Sequence, residues 1–189
     1  MSYTFTIGGT AINTTDTKPY VLAKSLKIVP RADNRNDCFL TVITTANTFL
    51  PRVGHALVVV DGAETVFGGI IQTARRYRPG AGTGADTTIY VDVWSDGYNP
   101  ILSRLAVRVN YIDGQDGFDG TAGYIIKDIR TKFLSQCGIT EGTINDGADI
   151  AAYKKDVLSG KELYDNLADI SGYKWWIDNS KALHFAQED

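Results

Sequence analysis

His55 and His184 are the only imidazoles in this 189-residue chain, so general acid–base chemistry would have to pass through one of them. His55 opens an apolar strand, and His184 lies between Leu183 and Phe185. Neither belongs to a motif that would supply a partner, because the sequence contains no Gly-x-Ser-x-Gly elbow and no His-Glu-x-x-His. Both read as strand-face residues. Cys38 and Cys137 each sit in an apolar run, which reads as two reduced core thiols rather than a disulfide. The two cysteines and two histidines are scattered singly, without the short paired spacings of structural zinc sites. No catalytic residue, metal ligand or cofactor site is assigned, and the chain reads as a non-enzyme.

Two glycine-bearing stretches imitate ligand loops and fail on inspection. From Asp113 to Gly120 the acidic pattern resembles a calcium loop, but in that register the sixth position is Phe118 and the twelfth is Tyr124. The sharp turn needs glycine at the sixth position, and the metal needs a bidentate glutamate at the twelfth. The stretch is read as an acidic linker. Gly80 to Gly84 lacks the Gly-Lys-Ser/Thr ending of a phosphate loop, and no helix start follows it. It is read as a hairpin tip.

One basic cluster stands out: Arg75, Arg76 and Arg78 around Tyr77. Such a group can grip a phosphate or an acidic neighbour. No second basic segment accompanies it, and the formal net charge is −3, so no global field would hold nucleic acid. The plain reading is a solvated strand end. If the cluster acts, a subunit contact is the better assignment.

The elements that would position these residues fall into two halves. Composition is 43% apolar and 22% charged, as expected of a packed globular chain, and ten tyrosines with many Thr, Val and Ile lean toward strands. The first residues lack the basic-then-apolar pattern of a secretory signal. No apolar run reaches the roughly 18 residues that cross a bilayer.

Short strands are expected at Tyr3–Ile7, Ser25–Ile28, Cys38–Thr44, His55–Val60, Thr65–Ile71, Thr88–Trp94 and Ala106–Tyr111. A polar loop spans 31–37, and Asp61-Gly62 signals a hairpin. Strands of this length and spacing fit a closed barrel, which removes exposed edges.

After Tyr111 the period lengthens. Ile125, Ile129, Phe133 and Cys137 recur every four residues, predicting a helix over 121–137 between Thr121 and Gly138. Ser159-Gly-Lys-Glu162 is a capping box, with Leu158 and Leu163 at the staple positions. It opens a helix over 160–171 with Leu163, Leu167 and Ile170 as its stripe. A hairpin over 173–186 follows, with Tyr173, Trp175 and Ile177 on one face and Trp176 and His184 on the other. The fold class is therefore mainly β with α+β: an N-terminal β-barrel over 1–112, then a small two-helix α+β domain over 113–189 ending in a hairpin.

The order of these signals resembles one known family, the baseplate hub or tail-associated hub proteins of tailed bacteriophages, prophages and contractile injection machines. The first half is similar in Ser25–Ile28, Pro51-x-x-Gly54 leading to Leu57 and Val59, Phe67-x-Gly69-x-Ile71, Val91-Asp-Val93, and then Tyr98, Leu102 and Arg104. The second half is similar in Cys137-Gly-Ile139, Ile144–Ile150, the capped helix, and Gly172-Tyr173-x-Trp175-x-Ile177-Asp178 with Leu183 and Phe185.

The resemblance implies a structural virion tail (baseplate) protein, assembled in the bacterial host cytoplasm. It implies a homotrimer whose barrels form a pseudo-sixfold ring between the tail tube and a spike or fibre. It implies no membrane partner and no cofactor, with DNA only in transit through a lumen that should be neutral or acidic, since clustered cations would hold phosphates. On this resemblance the chain ends before a second barrel, and Trp176 joins Arg75, Arg76 and Arg78 as a candidate subunit contact. The competing readings are a carbohydrate- or host-surface-binding module that stacks sugars on Trp94, Trp175 and Trp176, and a tail-linked cell-wall hydrolase.

Overall fold

The computed structural model describes residues 3–15, 17–30, 36–45, 48–78 and 88–187. The tip expected at 80–84, and the loop expected at 31–37 as far as residue 35, lie outside the described residues. Two compact units divide at Tyr98/Asn99.

In the first unit, β1 (Tyr3–Ile7), β2 (Thr10–Ile12), β3 (Tyr20–Val21), β4 (Lys27–Pro30), β5 (Asn36–Thr45), β6 (Ala56–Asp61), β7 (Glu64–Tyr77) and β8 (Thr88–Asp96) form one eight-stranded sheet. Its order is β2-β1-β6-β7-β8-β5-β3, with β4 also pairing β5. The two ends of that order meet. Just after β2, the Asn13 N–H donates to the Pro19 carbonyl (3.2 Å), and the Val21 N–H donates to the Asn13 carbonyl (2.9 Å). The sheet is thus nearly closed into the expected barrel, and its two outermost strands shield one another.

Strand alternation fills the interior. Cys38, Leu40 and Val42 of β5 face Val91 and Val93 of β8, while Phe5, Ile7, Leu57, Val59, Phe67 and Ile71 complete the core. Burial pushes the Cys38 thiol up from its usual 9.0 to about 12, so it stays protonated.

Two local devices bend this sheet. β7 pairs β6 through Ile70 and β8 from Ile70 onward, with the β8 register slipping between Ile71 and Thr73. At this corner a Cβ on Gly69 would lie 2.1 Å from the Asp96 carbonyl oxygen, so only glycine allows the strands to close up. Along β5, a 3-10 turn at Ala23–Ser25 separates β3 from β4. There Ser25 Oγ accepts the Thr41 N–H (2.7 Å), and the Leu22 N–H donates to the Thr41 carbonyl (2.9 Å). The expected strand at Ser25–Ile28 begins instead at Lys27, because Ser25 satisfies β5 by its side chain.

The second unit runs from α1 (Pro100–Ser103) and β9 (Ala106–Ile112) to α2 (Ala122–Ile129), β10 (Thr140–Ile144), β11 (Ala152–Ser159), α3 (Gly160–Ser171), β12 (Lys174–Ile177) and β13 (Ala182–Ala186). The division at 112/113 expected from composition differs from the division at 98/99. β9 pairs antiparallel with β11, well down the chain, and therefore belongs to the second unit. The hairpin β12–β13 forms with the expected division of faces, and β10 adds parallel to β13.

The helix expected over 121–137 changes pitch. After α2 the chain widens into one π turn at Arg130–Leu134 and tightens into a 3-10 turn at Ser135–Cys137. One extra residue per turn rotates the inward line, so Ile125 and Ile129 are followed by buried Leu134. Phe133 (39% accessible) and Cys137 are exposed, contrary to their expected place in the core. Both thiols are free in this structure.

The capping box of α3 forms fully: Ser159 Oγ accepts the Glu162 N–H (3.1 Å), and the Glu162 carboxylate accepts the Ser159 N–H (2.8 Å). These bonds hold the Glu162 carboxyl below its ordinary range. The buried face of α3 is Leu163, Tyr164, Leu167 and Ala168, while Ile170 is exposed and leaves the expected stripe. The Tyr164 hydroxyl donates to the Ile126 carbonyl of α2 (3.1 Å), and burial pushes that phenol up, keeping it a donor.

Candidate contact surfaces

The basic cluster ends β7, where alternation divides it. Arg75 stands opposite Asp92, and Arg76 opposite Val91. Directly opposed residues share a face, so Arg75 lies on the outer face and Arg76 on the face that carries the core farther along the strand. Arg78 follows the strand end, and all three are exposed. The four consecutive residues therefore form two surfaces rather than one grip.

Arg75 belongs to an outer grid set by the registers of β5, β8 and β7. Phe39, Trp94 and Thr73 form one row; Thr41, Asp92 and Arg75 the next; Ile43, Tyr90 and Tyr77 the third. Phe39 stacks on Trp94 (centroids 6.4 Å apart), and Tyr77 packs on Tyr90 (5.5 Å). Between the pairs, Asp92 accepts the Thr41 hydroxyl (2.8 Å) and the Tyr77 hydroxyl (3.4 Å). Local desolvation, then the Asp92 carboxylate, pushes the Tyr77 phenol up. Partly exposed aromatic pairs around an arginine have the make-up of a protein-binding patch.

The hairpin of the second unit holds Trp176. Its ring stacks on His184 at 4.8 Å with an 8° tilt, on the face away from Trp175, Ile177, Leu183 and Phe185, as alternation predicts. His184 is fully engaged. The Thr143 N–H donates to Nδ1 (3.1 Å), so that nitrogen is unprotonated and Nε2 carries the proton toward Asp178 (3.2 Å). A Cβ at Gly142 would lie within 2.5 Å of the His184 ring, so the ring rests on bare backbone. With both nitrogens used, His184 serves as a structural wedge. His55 stacks on Phe49 (5.7 Å) from the residue just before β6, which begins at Ala56 rather than at His55 as expected.

Within the second unit, Trp175 and Trp176 lie on opposite faces of the hairpin and do not make one platform. Trp175 packs edge-on against Tyr164 (5.6 Å) and donates to Asp165 (2.9 Å). Trp94 is covered by Phe39 in the first unit, and Trp176 by His184. Among the described residues no group of three or more His, Cys, Asp or Glu is placed to hold a metal ion, and no helix is long and apolar enough to cross a membrane.

Nothing local to residues 144–150 shows a task for them in the sequence. The structure supplies one. The Ala122 N–H donates to the Ala148 carbonyl (3.0 Å) and the Gly123 N–H to the Asp146 carbonyl (2.7 Å), while Thr121 Oγ1 accepts the Tyr124 N–H (3.1 Å). The first three donors of α2 are thus satisfied, two of them by a loop distant in sequence. The same loop receives the Ser171 hydroxyl oxygen at the Ala148 N–H (3.0 Å) and joins β13 through the Asn145 N–H to the Phe185 carbonyl (2.9 Å). The turn signal Asn-Asp-Gly was visible in the sequence; its long-range partners were not.

A nearly closed antiparallel barrel followed by a helix-and-hairpin unit is a fold found in tail proteins, one of them from a prophage. The chain is similar to the 43 kDa tail protein of prophage MuSo2 from Shewanella oneidensis, with a TM-score of 0.67 and 14% identity over 99% of this chain and 54% of that one. It is similar also to the tail protein from Neisseria meningitidis MC58, with a TM-score of 0.59 and 15% identity over 98% of this chain and 51% of that one. The chain spans about half the length of these two structures. No protein-family model matches it, and no curated protein does.

Proposed function

We propose that the chain is a structural component of a phage, prophage or injection-machine tail, and specifically a baseplate hub protein joining the tail tube to a central spike or fibre. The likeness in fold to two tail proteins along almost the whole chain carries this reading. It acts by contact rather than catalysis: His184 has both nitrogens occupied, and no partner motif accompanies either histidine. The working assembly is a homotrimer, located in the virion tail and built in the host cytoplasm. Its contacts include the outer patch around Arg75 and the Trp176 face, with Arg76 and Arg78 at the strand end. Its lumen is neutral or acidic, so that DNA passes without being held.

Tail particles purified from the bacterium that encodes the chain provide the test. Gold-labelled antibodies against the chain should mark one end of the tail tube in negative stain. Particles that contain every other tail protein but never the label would sink the proposal.

A further inference from the structure

The β9–β11 ribbon turns Val107, Val109 and Tyr153 into the core of the second unit. On its other side Arg108, Asn110, Ile112, Lys154 and Val157 are exposed, Val157 being 76% accessible, while Lys155, opposite Val109, folds its ammonium over the Tyr153 ring (6.0 Å) on the core-side edge. Among the described residues no third strand pairs with β9 or β11. The exposed side carries two cations, Arg108 and Lys154, against one carboxylate, Asp156. That carboxylate meets Arg108 at 3.8 Å with both side chains largely in solvent, which leaves part of the positive charge uncompensated.

The ribbon leads into a segment of opposite character. Asp113, Asp116 and Asp119 are exposed, and no cation lies between 113 and 120. Phe118 pins this loop by packing at 5.4 Å on both Tyr111 and Tyr124. Its carboxylates are therefore presented on a fixed frame. Among the described residues no ion pair engages Asp113, Asp116 or Lys154. One copy thus shows an exposed basic ribbon and an exposed acidic loop that do not neutralise each other.

We propose that the β9–β11 ribbon is a self-association face, on which Arg108 and Lys154 of one copy receive the Asp113–Asp119 loop of a second copy. The two surfaces are different patches, so the contact is head-to-tail and can close into a ring. Val157 and Ile112 supply the apolar area that such a contact needs beside its charges. The inference rests on the reading of the chain as a subunit of a multi-copy assembly, and it specifies which faces meet.

Sedimentation velocity of the full chain over a concentration series tests it. Wild-type association should weaken as salt rises from about 50 to 500 mM, since exposed charges are screened over that range. The pair Arg108→Glu/Lys154→Glu, and separately Asp113→Lys/Asp116→Lys, should each weaken association about tenfold. The variant carrying all four changes should recover to within about threefold of wild type, because complementarity is restored with the signs exchanged. All four side chains are exposed, and matching circular dichroism confirms the fold. Association that ignores both salt and charge reversal overturns the ribbon–loop contact while leaving the tail reading intact. A chain that stays monomeric at every concentration overturns self-docking, and the antibody labelling of tails still decides the function separately.

Discussion

Cys38 and Cys137 look alike in the sequence, each beside apolar neighbours, yet the structure gives them opposite fates. Cys38 alternates inward on β5 and is fully buried, whereas Cys137 follows the π turn and is exposed. The alternation of a strand was legible; the one-residue slip of a helix was not. Native protein treated with a thiol reagent at pH 8 should therefore show one fast thiol per chain, and two in denaturant. Cys137→Ser should abolish the fast reaction, and fast loss of both thiols in native protein would contradict the burial of Cys38. The sign of the pH effect follows from the raised folded value. An unfolded thiol ionises above its usual 9.0, while folded Cys38 holds its proton to about 12. The unfolded state then binds fewer protons, and this group lowers stability as pH rises through that window. Gly69 belongs to the same scale: its identity stood in the sequence, but the Asp96 carbonyl that forbids a side chain comes from β8, far along the chain.

The elements themselves were legible wherever local chemistry closes on itself. The capping box at Ser159–Glu162 and the division of faces in the β12–β13 hairpin depend on neighbours a few residues away, and both form as read. Stripes were less secure, because apolar spacing assumes a constant pitch. Across Arg130–Leu134 the pitch widens, which moves Leu134 to 1% accessibility and leaves Phe133 in solvent. On α3, Tyr164 takes an inward position because its hydroxyl finds the Ile126 carbonyl, while Ile170 stays outside. Truncating the two residues of α2's extension should separate the readings. Leu134→Ala should cost about 3 kcal/mol in denaturant unfolding, through lost burial plus a cavity. Phe133→Ala should cost under about 1 kcal/mol, as exposed positions do. The reverse order would mean that the regular four-residue stripe holds in solution. β10 and β11 went unread as strands because they take their partners from β13 and β9, and neither alternates cleanly.

For the whole molecule, the sequence marks a change of period near Tyr111 but cannot say with which half the preceding strand pairs. β9 alternates like a barrel strand, and its ladder from Ala106–Ser159 to Ile112–Ala152 exists only when the chain returns forty residues later. The two candidate boundaries make different molecules. A cut after Tyr98 leaves the eight-stranded sheet in one piece and β9 with β11 in the other. A cut after Ile112 strands β9 on the first piece, deprives β11 of its partner, and exposes the core side of Tyr153. Fragment 99–189 should therefore give a dispersed amide spectrum and a cooperative melt. Fragment 113–189 should give collapsed dispersion and little or no transition, since a lone strand leaves its backbone donors unpaired and its apolar face uncovered. A cooperative fold for 113–189 equal to that of 99–189 would place the division at the change of period after all, with β9 as an addition to the second unit rather than a part of its core.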